Sequence, residues 1–269
     1  MTLRAQDSMP EIKLRSTVNA DYDGNYTGIS PWRELGGKHK AKNIIEVCKR
    51  AGFTPRRILD VGAGEGSVLQ HLHEMGFGEE FYAVEIASSG LNVIKSRNLP
   101  RLKQAVQFNG YDIPCEDDAF DLVILSHVLE HVEFERLVLR ELKRVAPRQA
   151  IEVPLDYHFG IDARVEDTLS YGHINVYNPT LARFLLKSEG LSIDQELLTL
   201  MHEEVREFME FEIRKKERTP ENIAALRKWV SDRAMAFFTS PKEQAEQLAN
   251  AFTVLTSRKT EGGLAIFKS

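Results

Sequence analysis

The sequence predicts an α/β fold: a Rossmann-like, doubly wound sheet of seven strands, mostly parallel with the last strand antiparallel, and a helical insertion between the sixth and seventh strands. Three observations carry that expectation. Short apolar runs alternate with amphipathic helical segments from residue 38 onward, the pattern of right-handed βαβ crossovers. A glycine-rich stretch, "LDVGAGEGS", joins the first apolar run to the helix that follows it. Finally, a short apolar run closes the chain after a long helical stretch, and a lone strand there needs a partner.

Residues 1–37 are polar and turn-rich, with "DYDGNY" and "TGISPW" as loop signals and Tyr22, Tyr26 and Trp32 scattered among them. They read as a tail packed on the domain or a flap over a ligand. From His39 a helical face forms through Ile44, Ile45, Val47 and Cys48 until Gly52 stops it. The alternation then runs as strand "RRILDVG", helix "SVLQHLHEMG", strand "EFYAVEI", helix "SGLNVIKSRN", strand "KQAVQFN" and strand "FDLVILS". The amphipathic helix "FERLVLRELKRV" and the fifth strand "RQAIEVPL" come next. Asn178-Pro179 caps the helix "TLARFLLKSEG", and "LSIDQELLTL" is the sixth strand. Residues 201–258 read as a helical insertion, with starts at Thr219-Pro220 and at the capping box Ser240-Pro-Lys-Glu243. The terminal "GGLAIFKS" reads as the seventh strand, so residues 38–200 and 259–269 form one domain.

The 269 residues carry a formal charge of −5, which gives no general footprint for nucleic acid. Only Cys48 and Cys115 occur, and no apolar run of signal-peptide or membrane-spanning length is visible. The expectation is a soluble cytoplasmic protein, with no nucleic-acid or membrane partner and a homodimer left open.

Gly62, Gly64 and Gly66 let the chain turn tightly against a ligand. A dinucleotide site wants G-x-G-x-x-G/A, but the third glycine arrives one residue early and Ser67 holds the sixth position. That argues against a nicotinamide oxidoreductase. Glu85 ends the second strand, 19 residues beyond Gly66, where a carboxylate can accept both hydroxyls of a ribose.

Taken in order, "LDVGAGEGS", "YAVEI", "FNGYDIPCEDDAFDLVILSHVLEHV" and "ELKRV" before a fifth strand resemble the class I S-adenosylmethionine-dependent methyltransferases, in their small-molecule, type 11-like branch. The resemblance implies that Gly62, Ala63, Gly64 and Gly66 line the methionine end of the cofactor. It implies that Asp60 orients the loop or the cofactor's amino group, and that Glu85 binds the ribose with Ile86 against the adenine. Relatives place an Asp five residues before a Pro; here that position, counted from Pro114, is Asn109, followed by Gly110. The Asn109 amide oxygen could accept from the adenine amino group, and Asp112 is the nearby acid that could substitute. Backbone at Ser126 and His127 would face the methionine. The usual Pro-Gly-Gly turn before strand five is replaced by Pro147-Arg148-Gln149.

The segment "LSHVLEHV" contains His127-x-x-Glu130-His131, formally an H-x-x-E-H pattern. It follows a strand at the carboxyl edge of the sheet, not the middle of a helix, which sets the protease reading aside. Three roles remain for the histidines. His127, His173 in "YGHINVY" and His158 in "VPLDYHFG" are candidate general bases beside the methyl. Alternatively, His127, Glu130, His131 and His173 ligate a divalent ion in a metal-dependent O-methyltransferase, although no metal is assigned to the site. Otherwise Glu130 and His131 simply brace the loop. His71 and His73 are expected at solvent or in packing, and Phe208, Phe211, Trp229, Phe237, Phe238 and Phe252 to form the insertion's own core against the sheet edge, with a lid, an acceptor pocket or an oligomer contact as its other roles. The activity expected is methyl transfer to an O, N or C centre of a small organic acceptor. A cofactor-binding protein that does not methylate is the alternative.

Overall fold

The computed structural model describes residue 24, residues 26–158 and residues 160–258. The order is helix α1 (Pro31–Arg50), β1 (Arg57–Val61), α2 (Ser67–Glu74), β2 (Glu80–Glu85), α3 (Ser88–Ser96), β3 (Leu102–Gln107) and β4 (Leu122–Ser126). A 3-10 turn (Leu129–His131) leads to α4 (Glu135–Val145) and β5 (Arg148–Pro154). A second 3-10 turn (Ile161–Arg164), α5 (Val165–Ser170), α6 (Pro179–Ser188) and β6 (Leu191–Thr199) follow. The chain ends, as described, with α7 (Glu203–Phe208), a π-helical turn (Met209–Ile213), α8 (Pro220–Thr239), α9 (Lys242–Leu248) and β7 (Ala251–Arg258).

One seven-stranded sheet has the order β3-β2-β1-β4-β5-β7-β6. Strands β1 to β5 pair in parallel, and β7 lies antiparallel between β5 and β6. Strand residues alternate between two faces, and both faces of the central strands β1, β2 and β4 are covered, so these are buried almost throughout, whereas the edge strands β3 and β6 are mixed. Ile58, Phe81 and Ile124 pack with Ile44 of α1, Leu69 of α2 and Ile94 of α3. Leu59, Val61, Val84 and Leu125 pack on the other face with Leu139 and Leu142 of α4 and Leu185 of α6. The chain winds outward from β1 to β3 and then crosses back to β4. That reversal opens a crevice at the carboxyl ends of β1 and β4, where open α/β sheets take ligands.

Three expectations change. The seventh strand is Ala251–Arg258, inside the stretch read as helical, so the helices between β6 and β7 run only from Glu203 to Leu248. The segment "GGLAIFKS" lies outside the described residues, as does Tyr22. Helix α1 begins at Pro31, with Pro in its first turn, so the end of the 1–37 segment is helical. The aromatics of the insertion do not make a core of their own. Phe252 is buried on β7 and Phe211 is buried, whereas Trp229 and Phe238 are exposed, and α8 buries no residue.

Candidate active site

The glycine turn is clamped to β2: the Gly62 and Ala63 amides donate to the Val84 carbonyl at 2.9 and 3.2 Å, and the Gly66 amide donates to Ala63 at 2.8 Å. Gly62 has φ +71° and a Cβ there would lie 2.6 Å from Val128 Cγ2. No other residue fits that position without moving the loop after β4. Gly66, at φ +80°, is the N-cap of α2.

A cleft of about 150 Å³ opens beside this turn. Gly62, Glu85, Ile86, Asn109, Gly110 and His127 line it, all anticipated from sequence. Phe108, Tyr111, Val128, Val132 and Glu133 line it as well and were not anticipated, while Tyr26, read as part of a tail or flap, and His131, read as a loop brace or metal ligand, complete the wall. Asp60, Ala63, Gly64, Gly66, Asp112, Ser126, His158 and His173 are not among the lining residues.

Glu85 is 3% exposed, and its two oxygens accept from the Gly64 amide at 2.8 Å and the Ala87 amide at 2.9 Å. Burial raises its pKa against those bonds. A carboxylate has about four acceptor sites, so Glu85 keeps capacity for a ribose hydroxyl. Asp60 lies at the end of β1, buried, and its Oδ2 has no hydrogen-bond partner among the described residues. Burial pushes its carboxyl up to about 7, opposed by the Lys40 charge and reinforced by Glu85. A buried, underpartnered acid beside a glycine turn fits a ligand ammonium. Asn109 does not keep the role expected of its oxygen. Asn109 Oδ1 accepts from the Tyr111 amide at 2.9 Å and the Asp112 amide at 2.7 Å, so both lone pairs hold an Asx turn. Asp112 is half exposed.

Glu65, between two of the glycines, is 1% exposed. It accepts from the Ser30 amide at 3.0 Å and from Arg33 at 3.4 Å and Arg97 at 3.3 Å. One carboxylate therefore ties α1, the turn and the end of α3 together. The Arg33 guanidinium stacks 4.6 Å from the Tyr26 ring, which covers the turn at Gly64.

At the other side of the cleft His127 has φ +56°, the left-handed region in which a non-glycine residue is strained. Its amide donates to the Glu152 carbonyl at 2.9 Å and its Nε2 donates to Glu152 Oε1 at 3.1 Å. Its Nδ1 lies 3.5 Å from Glu130 Oε1. Glu152, on β5, also accepts from Asn43 at 2.9 Å and from Thr253 at 2.6 Å. Burial works to raise its pKa, but the bond and charge of His127, with Thr253 and Lys40, bring it down to about 2. Neither Glu152 nor Asn43 was foreseen. The available signal was a single carboxylate flanked by apolar residues in a buried strand, and an amide on the apolar face of a helix.

Glu130 is fully buried and neither carboxylate oxygen has a hydrogen-bond partner among the described residues. It therefore does not brace the loop through its side chain; its carbonyl does, accepting from the Ile174 and Asn175 amides at 2.8 and 3.0 Å. Those bonds bring His173 to the site. His131 Nδ1 donates to the Gly172 carbonyl at 2.9 Å, and His173 Nδ1 donates to Asp156 at 2.7 Å. Glu130, His131 and His173 offer ligand atoms all within 4.8 Å of one another. His127 is not part of that group, because its ring is turned onto Glu152, so the four-ligand set expected from sequence is reduced to three. His158 stands apart, its Nδ1 accepting from the Gly160 amide at 3.0 Å.

Residues 59–151 match a family model described as a methyltransferase domain. Together with the strand order and the crevice, this match places a methyltransferase domain at the centre of the chain. It is similar to the malonyl-(acyl-carrier protein) O-methyltransferase of Halorhodospira halophila (strain DSM 244 / SL1), 33% identical over 114 residues that cover 41% of this chain and 38% of the other. The chain spans between 36% and 60% of the length of the first curated relatives it matches. Among solved structures it is similar to Haemonchus contortus phosphoethanolamine N-methyltransferase 2 in complex with S-adenosyl-L-methionine, with TM-score 0.54, 16% identity, and coverage of 81% of this chain and 52% of that one. It is also similar to the (4+2)-cyclase SpnF, with TM-score 0.56, 14% identity and 81% of each chain covered. At those identities the likeness concerns the fold alone.

Proposed function

We propose that the protein transfers a methyl group from S-adenosylmethionine to an O, N or C centre of a small organic acceptor in the cytoplasm. The observation that supports this most is the single cleft in which Gly62, Glu85 and Ile86 face His127. When bound, the cofactor supplies a methyl on a sulfonium, already attached to a good leaving group. The chain's task is then alignment of the acceptor for in-line attack and, where the acceptor carries a proton, its removal. His127 is built for the second task. With Nε2–H on Glu152, the lone pair sits on Nδ1, and Glu130 stands ready to stabilise the imidazolium. Tyr26 covers the glycine turn at Gly64, and the helices from Glu203 to Leu248 are assigned to the acceptor side. None of the described helices is long and apolar enough to cross a membrane.

The test is turnover of methyl-labelled cofactor over a panel of O-, N- and C-acceptors. His127→Ala should lower the rate about a hundredfold or more while S-adenosylhomocysteine binds as before. Equal rates would remove His127 from the chemistry, and cofactor binding without any label transfer would favour a protein that binds but does not methylate.

A second reading is favoured by one observation, the convergence of Glu130, His131 and His173. Both histidines donate Nδ1–H to an oxygen, which presents Nε2 as the ligand nitrogen, the arrangement usual around protein metals. Two imidazoles and a carboxylate suit a first-row divalent ion acting on an acceptor oxygen. In this reading the chain is a metal-dependent O-methyltransferase. Titration with Co(II) would show one visible-absorbing ion per chain, lost in His173→Ala; absence of that absorption would leave the metal-free reading alone.

A further inference from the structure

Four arginines gather around the contact between α7 and α8. Arg206 on α7 and Arg233 on α8 flank one indole, their guanidinium carbons 4.5 and 5.4 Å from the Trp229 ring centroid. Both side chains are half-buried, and in each the Nε–H is buried without a hydrogen-bond partner among the described residues. Arg164, at the end of the second 3-10 turn, and Arg214 are exposed at the rim. Glu210 is the acid that shares the cluster, 3.5 Å from Arg206 and 2.6 Å from Arg214. Burial pulls Arg206 below its ordinary pKa, Glu210 opposes this, and the charges of Arg214, Arg233 and Arg164 pull further. The Arg164 charge also helps to lower the carboxyl of Asp156, which accepts from His173.

Half-burying like charges costs free energy, and a buried N–H left unpaired adds to it. Stacking on Trp229 recovers part of that cost. An oxyanion would recover the rest, because guanidinium donors match carboxylate and phosphate geometry. We propose that Arg206 and Arg233, with Arg164 at the rim, form a subsite for a carboxylate or phosphate group carried by the methyl acceptor. That the bound molecule is the acceptor rests on the methyl-transfer reading; that an oxyanion binds there does not.

The chain has two tryptophans, Trp32 and Trp229, so a Trp32→Phe background reports Trp229 alone. Its emission should change saturably with inorganic phosphate or with malonate, at constant ionic strength, and not with chloride. Comparison of the phosphate and malonate arms tells which oxyanion is preferred. Arg206→Gln and Arg233→Gln should each weaken the response tenfold or more, and the exposed Arg164→Gln a few-fold, with the same far-UV circular dichroism. S-adenosylhomocysteine binding should be unchanged in all three. A response equal to that of chloride, or one retained in Arg233→Gln and Arg164→Gln, overturns the subsite. If the oxyanion binds but S-adenosylhomocysteine does not, the subsite stands and the methyl-transfer reading falls.

Discussion

Glu85 is held by two backbone amides of the loops it joins, so its geometry is fixed before any ligand arrives. Replacing it by Ala should weaken S-adenosylhomocysteine binding tenfold or more, about the contribution of hydrogen bonds to a charged group. Calorimetry checks this, and unchanged affinity would refute the assignment. Asp60 makes a separate prediction. Its carboxyl sits at about 7, raised by burial, so near neutral pH it is partly protonated in the free protein. An ammonium placed beside it lowers that pKa, and the proton leaves. Binding enthalpy at pH 7 should therefore vary with the ionisation enthalpy of the buffer. Asp60→Asn should remove the variation; a dependence that survives the substitution would place the proton elsewhere.

At the scale of elements, α1 meets α7 through His39. The ring is 7% exposed, stacks on His202 at 3.5 Å between centroids, and donates to Glu204 at 2.6 Å. Burial, with the charge of His202, lowers its pKa to about 4 despite Glu204. The unfolded chain protonates this ring near 6.5 and the folded chain only near 4. Stability is then complete above about pH 6.5 and is lost as pH falls towards 4, by up to about 3 kcal/mol. Urea unfolding at pH 7.5 and 5 should show a smaller drop in His39→Gln than in the parent chain. Equal drops would mean that another group carries the acid sensitivity. Element type was largely legible in the sequence, because parallel strands buried on both faces leave dense apolar runs between helices of a different period. The miss at β7 has a local cause. "EQAEQLANAF" carries helical spacing into "FTVLTS", and the β-branched residues Thr253, Val254 and Thr256 were passed over. The capping box at Ser240 was legible only in part: α9 does begin at Lys242, but the N-cap position falls on Pro241, with no side-chain cap bond.

For the molecule as a whole, the cofactor half of the cleft was more legible than the acceptor half. Gly62 and Glu85 lie 23 residues apart and belong to one βαβ unit, so their meeting follows from local order. Glu152 is different: its partners Asn43 and Thr253 are 109 and 101 residues away, and nothing local announces them. The same holds for Glu65, which looks like a loop acid and is instead a buried hub for Arg33 and Arg97. Long-range polar contacts of this kind depend on topology, and here the crossover from β3 to β4 and the insertion of β7 beside β5 create them. The central claim is that this crevice takes S-adenosylmethionine rather than a dinucleotide. Calorimetric titration with S-adenosylhomocysteine and, separately, with NAD tests it most directly. One equivalent of S-adenosylhomocysteine bound, with no heat from NAD, is the predicted result; saturable NAD binding with no response to S-adenosylhomocysteine would contradict the account.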